Sequence, residues 1–344
     1  MSLPKTYTQA VFKASGEPLV LESVPLQLPG KDEILLKVEA CGVCYSDIYT
    51  QHNGVGGGFP MVPGHEIIGK VVALGEGVSP DKWSVGSRVG SGWHGGHDGT
   101  CKACQKGWYQ MCDNPIINGV TRNGGCEADA EYCVIRAEAA VRVPEHVDAA
   151  KYAPILCAGV TVFNSIRHMN VKPGETVAIQ GLGGLGHLAL QYARRMGYRV
   201  VAISRGTDKE KAAREFGAHH YIDSTKGDIG EQLNALGGAA LAITTASTAE
   251  AITPLIKGLG VLGKLLLLSV PRELPVDVYA LLKRGISVQA WPSGHAADSG
   301  DAIVFAELND IECAIEKFPL AEAQKAYDSM LSGTVRFRAV ITME

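Results

Sequence analysis

The chain has 344 residues, 46% of them hydrophobic, and a formal charge of −4 from 36 acidic and 32 basic side chains. That length exceeds what one hydrophobic core usually supports, so about two domains are expected, with enough apolar content to fill both. The charges are interspersed without a long run of one sign, which argues against nucleic acid or an anionic membrane surface as a partner.

No apolar stretch approaches the roughly 20 residues that span a bilayer. The opening MSLPKTYTQA lacks a basic segment followed by an apolar run, so the expected address is the cytoplasm. Nine cysteines without an export signal point to reduced thiols or metal ligands rather than a disulfide framework.

The first third alternates short β-type runs, at residues 34–38 and 67–74, with turns at Pro29-Gly30 and Pro63-Gly64. It reads as a mostly β domain with long loops. From about Val171 the texture changes. A buried-strand run at 176–180 is followed by glycines, a helical stretch at 185–196 and a strand at 199–203, which together make one βαβ unit. A helix at 209–216, a short strand at 221–222, an apolar run at 239–243, a helix at 249–259 and a strand at 264–269 continue the alternation of a doubly wound sheet. After 287–291 the pattern changes again, with a helix at 321–331 and a final strand at 337–342 able to rejoin the first domain. The expected α/β organisation is a mostly β domain over 1–155 and 291–344, and a doubly wound domain over 156–290.

Gly181-Leu-Gly183-Gly184-Leu185-Gly186 fits GxGxxG between a strand and a helix, where glycines allow a pyrophosphate to approach the helix N-terminus. About 20 residues on, where an NAD enzyme usually presents an acid to the ribose diol, the strand ends in Ser204-Arg205, with Lys209 and Lys211 nearby. A hydroxyl and a guanidinium suit a 2′-phosphate, so NADP(H) is favoured over NAD(H), although Asp208 keeps NAD in play.

Two thiol groupings follow. Cys101 and Cys104 form a CxxC pair, Cys112 follows, and Asp98 precedes Cys101 by a two-residue gap. Three thiolates and a carboxylate can close a tetrahedral structural zinc site, with His97 as the alternative fourth donor. The second set, Cys44, His65 and Cys157, is too dispersed for spacing to unite. Taken singly, a buried cysteine is more often an inert core residue than a ligand.

Over essentially its whole length the chain resembles the zinc-containing alcohol dehydrogenases of the medium-chain dehydrogenase/reductase superfamily. The most specific stretch is Gly64-His65-Glu66 with Gly69, Gly75 and Val78. Gly42-Val-Cys44-Tyr-Ser46-Asp47, the CxxC loop, LCAGVT at 156–161, GLGGLG at 181–186 and VRFRAV at 335–340 follow in the family's order. The resemblance implies a GroES-like catalytic domain beside a Rossmann domain. It implies that Cys44, His65 and Cys157 hold a catalytic zinc with an open fourth position, and that Glu66 is an occasional partner of the metal. It also implies that Asp47 orients the ligand histidine, that Arg338 is the arginine near it and belongs with the cofactor-binding residues, and that Ser46 hydrogen-bonds the substrate oxygen and starts a proton relay. The activity implied is hydride transfer between NADP(H) or NAD(H) and a small-molecule alcohol, aldehyde or ketone, in a homodimer or homotetramer.

Three departures stand out. Tyr49 occupies the position where many members have a relay histidine, and an unperturbed phenol is a poor base at neutral pH; His52, a ribose hydroxyl or water is the alternative exit. Asp98 replaces the usual fourth cysteine, a harder ligand than thiolate. Residues 126–131 look like a short insertion, with Cys126 and Cys133 read as incidental thiols. By resemblance the glycine-rich loop at 52–59 lies near the substrate, with Trp93, Tyr49 and Phe59 as aromatic walls of a pocket for a medium-sized or aromatic substrate. Two alternatives are weighed: reduction of an iminium or conjugated alkene, and a non-enzymatic cofactor-binding protein.

Overall fold

A computed structural model describes residues 3–121 and 128–343. The strand Glu33–Gly42 buries Ile34, Leu35, Leu36, Val38, Ala40 and Cys41, and its near-continuous burial reflects a central place in its sheet. The seven strands of that sheet include Ile315–Pro319, Arg338–Thr342, Glu33–Gly42, Ile67–Leu74, Arg88–Ser91 and Val141–Arg142 in spatial order, with Tyr132–Arg136 also pairing Glu33–Gly42. All pairings are antiparallel except that of Ile315–Pro319 with Arg338–Thr342. The final strand therefore does join the first domain's sheet, packing Val340 opposite Gly42.

The second sheet is wholly parallel, in the order His220–Asp223, Arg199–Ser204, Thr176–Gln180, Ala239–Thr244, Leu259–Leu267, Ser287–Ala290. In chain order the strands lie third, second, first, fourth, fifth and sixth, the doubly wound arrangement that reverses direction beside the first strand. Every residue of Thr176–Gln180 is buried. Each fully buried Val or Ile of such a strand contributes roughly 1.5–3 kcal/mol. Chain contacts divide the molecule into one unit running through Val160 with Gly294–Glu307 and the chain from Glu312, and a second formed by Thr161–Ser293 and Leu308–Ile311.

One expected helix ends early. The stretch at 249–259 is helical only over Ala249–Lys257, because Gly258 caps it by donating its N–H to the Leu255 carbonyl, and Leu259 starts the next strand opposite Ala239. The hairpin of Thr6–Phe12 with Leu19–Pro25 and the helices Ala158–His168 and Ala296–Leu308 have no counterpart in the sequence reading. The first of those helices carries several β-branched residues, which mask its period. Residues 126 and 127 of the apparent insertion, including Cys126, lie outside the described residues, whereas Cys133 is buried. No helix among the described residues is long and apolar enough to cross a membrane.

Candidate functional site

The end of the Glu33–Gly42 strand runs into the short 3-10 turn Tyr45–Asp47, which puts Cys44 at its N-cap. His65 and Glu66 precede the neighbouring strand Ile67–Leu74, and Cys157 ends the 3-10 turn Ala153–Leu156. These elements bring one side-chain donor atom each from Cys44, His65, Glu66 and Cys157 to within 4.8 Å of one another, all buried. The two sulfurs are 3.9 Å apart. Two thiolates on one tetrahedral zinc, at Zn–S of about 2.3 Å, stand roughly 3.8 Å apart. His65 Nε2 is buried and has no protein hydrogen-bond partner. The donor types, the sulfur spacing and the unsatisfied imidazole nitrogen all fit a zinc ion.

Asp47 braces two of the four. Its Oδ2 accepts the Cys44 N–H at 2.8 Å, and its Oδ1 lies 3.1 Å from His65 Nδ1, close but poorly aligned for a hydrogen bond. A carboxylate oxygen at that distance favours the ring proton on Nδ1, which leaves the Nε2 lone pair for a metal. Ionisation of Cys44 is favoured, mainly by the neighbouring Cys157 thiol and also by His65 and Arg338. Glu66 is pushed up to about 7 by burial, against the opposing field of Arg338.

Arg338, expected with the cofactor residues, has a different partner. Its guanidinium hydrogen-bonds Glu66 Oε1 in a buried ion pair. The reason is electrostatic: a carboxylate with no exposed surface needs a cation beside it. Gly42 makes room for this pair, since a Cβ there would sit 1.9 Å from Glu66 Oε2. Ser46 is half-buried in the Tyr45–Asp47 turn, whereas Tyr49 and His52 are exposed. The Trp93 ring stands edge-on to His65, with centroids 4.9 Å apart. Phe59 packs instead against the apolar cluster around Phe12 and Tyr327.

A second cluster gathers Asp98, Cys101, Cys104 and Cys112, again with donor atoms within 4.8 Å and two sulfurs 3.9 Å apart. Backbone N–H groups of Asp98 and Asn114 point at Cys112 Sγ, and that of Cys104 at Cys101 Sγ, the dipole arrangement that stabilises thiolates. Asp98 is held well below the usual carboxylate range by Asn114 and the N–H groups of Cys101 and Thr100. His97 does not share this cluster; its ring stacks on Tyr109 and contacts His94.

In the other unit, a cleft of about 640 Å³ opens at the carboxyl ends of the parallel strands, lined by Gly181, Leu182, Gly183, Ser204, Arg205 and Lys209 among others. Gly186 starts the following helix, and a Cβ on it would meet the Gly181 carbonyl at 1.8 Å, so the turn closes only with glycine. Gly184 and Leu185 complete the turn. Lys209 Nζ donates to the Leu182 carbonyl at 2.9 Å across this turn. Thr245 through Thr248 also line the cleft. They were missed because no motif marks them, although the rule that ligands bind where parallel strands end points to the loop after Ala239–Thr244.

Residues 30–145 match the alcohol dehydrogenase GroES-like domain, and residues 184–307 match the zinc-binding dehydrogenase family. The chain is 67% identical over all 344 residues, and over the full length of both proteins, to the alcohol dehydrogenase notN of Aspergillus sp. (strain MF297-2). It belongs to the zinc-containing alcohol dehydrogenases of the medium-chain dehydrogenase/reductase superfamily. Among solved structures, this dehydrogenase is similar to acetophenone reductase from Geotrichum candidum in complex with NAD, at 26% identity and TM-score 0.86, covering 100% of this chain and 99% of that one. It is also similar to CAD from Helicobacter pylori complexed with NADP(H), at 25% identity and TM-score 0.87, covering 98% of each. The dehydrogenase is thus an NAD(P)-dependent alcohol oxidoreductase of a zinc-binding family, with a small-molecule substrate.

Proposed function

We propose that this dehydrogenase moves a hydride between NADP(H) and a medium-sized or aromatic alcohol and its aldehyde or ketone, at a zinc ion held by Cys44, His65 and Cys157. The observation that carries this reading is the single buried cluster formed by two thiols, an imidazole and Glu66 from distant parts of the chain. When bound there, zinc supplies Lewis acidity to the substrate oxygen. Ser46 receives the proton of the substrate hydroxyl, or returns it, at its Oγ, and exposed Tyr49 lies one helical turn on toward solvent. Trp93, against His65, forms one wall of the substrate site. Asp98, Cys101, Cys104 and Cys112 hold a second, structural zinc.

Rates over a panel of alcohols and aldehydes with both cofactors, alongside metal analysis, test the assignment. Aromatic aldehydes reduced efficiently with NADPH, with two metal equivalents per chain, are expected. An enzyme that leaves aldehydes untouched and reduces only the C=C or C=N bond of conjugated substrates overturns it.

Asp47→Asn keeps the shape but removes the charge beside His65, so zinc affinity is expected to fall about 10- to 100-fold. Competition with a chelator of known affinity measures this; unchanged affinity removes Asp47 from the assigned role. Ser204, Arg205 and Lys209 are assigned to the 2′-phosphate of NADP(H). Arg205→Ala is expected to raise the KM for NADPH by about tenfold or more, the loss of one charge-assisted contact. The KM for NADH should stay put, and equal effects on both cofactors exclude the assignment.

Self-association is the expected assembly. The sheet edge Ser287–Ala290 is exposed throughout, and Val278, Tyr279 and Leu282 on the helix before it are apolar and exposed. A bare strand edge preceded by exposed apolar helix side chains is suited to pairing with a second copy.

A further inference from the structure

The strand His220–Asp223 forms one edge of the parallel sheet beside Arg199–Ser204, with Ser204 in register with Asp223. Two of its side chains hold the turn that follows Ser204. The Tyr221 hydroxyl donates to the Gly206 carbonyl at 2.8 Å, and Asp223 Oδ1 accepts the Gly206 N–H at 2.8 Å. Gly206 has φ +67°, and nothing lies within 4 Å of where its Cβ would be. This turn therefore has little packing of its own, and its backbone is fixed at both polar ends by one neighbouring strand.

The residues it presents are Ser204 and Arg205, which line the cofactor cleft. Arg205 is exposed and makes no hydrogen bond or ion pair with the described residues. Asp223 does not line the cleft. Its Oδ1 is also occupied by the Thr225 N–H at 3.0 Å and the Thr225 hydroxyl at 2.8 Å, and Lys226 Nζ lies 3.8 Å from Oδ2. Those donors, Thr225 foremost, hold its pKa down, so it is an anion turned into the loop and not toward a ribose diol.

We propose that Tyr221 and Asp223 are positioning residues that set the preference for NADP(H) over NAD(H), by fixing Gly206 and so holding Ser204 and Arg205 where a 2′-phosphate arrives. This rests on the reading of Ser204 and Arg205 as 2′-phosphate donors. The physical basis is preorganisation. A guanidinium binds phosphate strongly only in a narrow geometry, and a turn already fixed loses less freedom on binding.

Calorimetric binding of 5′-AMP and 2′,5′-ADP to the full-length, metal-loaded enzyme isolates the 2′-phosphate without any turnover. Wild type is expected to bind 2′,5′-ADP more tightly. Tyr221→Phe and Asp223→Ala should each lower the ratio of the two affinities about three- to tenfold, the equivalent of one or two net hydrogen bonds, with 5′-AMP binding unchanged. Tyr221→Phe keeps the ring and its packing, which guards against a variant that merely fails to fold. An unchanged ratio in Tyr221→Phe, or equal losses for both ligands, overturns the proposal. So does a higher ratio in Asp223→Ala, which would mark Asp223 as a repelling charge. A wild-type enzyme that binds the two ligands equally well instead refutes the NADP(H) reading on which the proposal stands.

Discussion

Cys44→Ser is expected to lower kcat/KM for alcohol oxidation by at least about a thousandfold, roughly 4 kcal/mol of transition-state stabilisation. A serine hydroxyl is not deprotonated at neutral pH and is a poor zinc donor, so one metal equivalent per chain should leave with the activity. Cys44 is also the thiol whose ionisation the site favours most, through Cys157 and His65, and its loss removes the charge that a divalent cation would meet. Cys101→Ser supplies the contrast. It should release the other metal equivalent and lower the thermal midpoint with a much smaller change in the chemical step. Metal analysis and steady-state kinetics on both variants decide the matter, and a Cys44→Ser enzyme within tenfold of wild type would sink the catalytic assignment.

Arg338→Ala is expected to destabilise the protein by about 3–5 kcal/mol, because it leaves Glu66 buried beside two thiols without a compensating cation. Glu66 is fully buried and already pushed up to about 7 with the guanidinium present. Without it, the carboxyl is driven further toward its neutral form. Glu66→Gln in the same chain should therefore recover part of the loss, since the double variant no longer buries an unpaired charge. Denaturant unfolding of the two single variants and the double provides the cycle. Additive losses would mean that the two side chains do not act as a pair.

How much of this was legible in the sequence differs between the two halves of the chain. The strands at 67–74 and 176–180 have the bounds their residues predict, because both are short segments rich in apolar and β-branched residues. The GxGxxG turn and the Asp98–Cys112 group were legible for the same reason: each is local, and its chemistry sits within a few residues. The Cys44, His65 and Cys157 group was beyond spacing arguments, since sheet pairing and a turn at Ala153–Leu156 bring together residues more than a hundred positions apart. Only the family's Gly-His-Glu pattern supplied that link. The return of the last strand was legible as a possibility, but the pairing of Arg338 with Glu66 was not, because it depends on the side-chain register of that strand against the first domain's central one. Tyr221 and Asp223 were invisible, since their partner is the backbone of Gly206, and backbone groups carry no signature.

The return of that last strand bears on the order in which the chain acquires structure during synthesis. Thr161–Ser293 is one nearly unbroken segment, so its parallel sheet has all six strands once Ala290 has emerged. The other unit begins first and finishes last. The side chains of its two candidate metal sites are all made before Val160, but Ala40–Gly42 at the end of the central strand stays unpaired on one side, and Glu66 lacks its cation, until Arg338–Thr342 arrives. The inner segment is therefore expected to mature first, while the ribosome still holds the C-terminal residues that close the domain begun at the N-terminus.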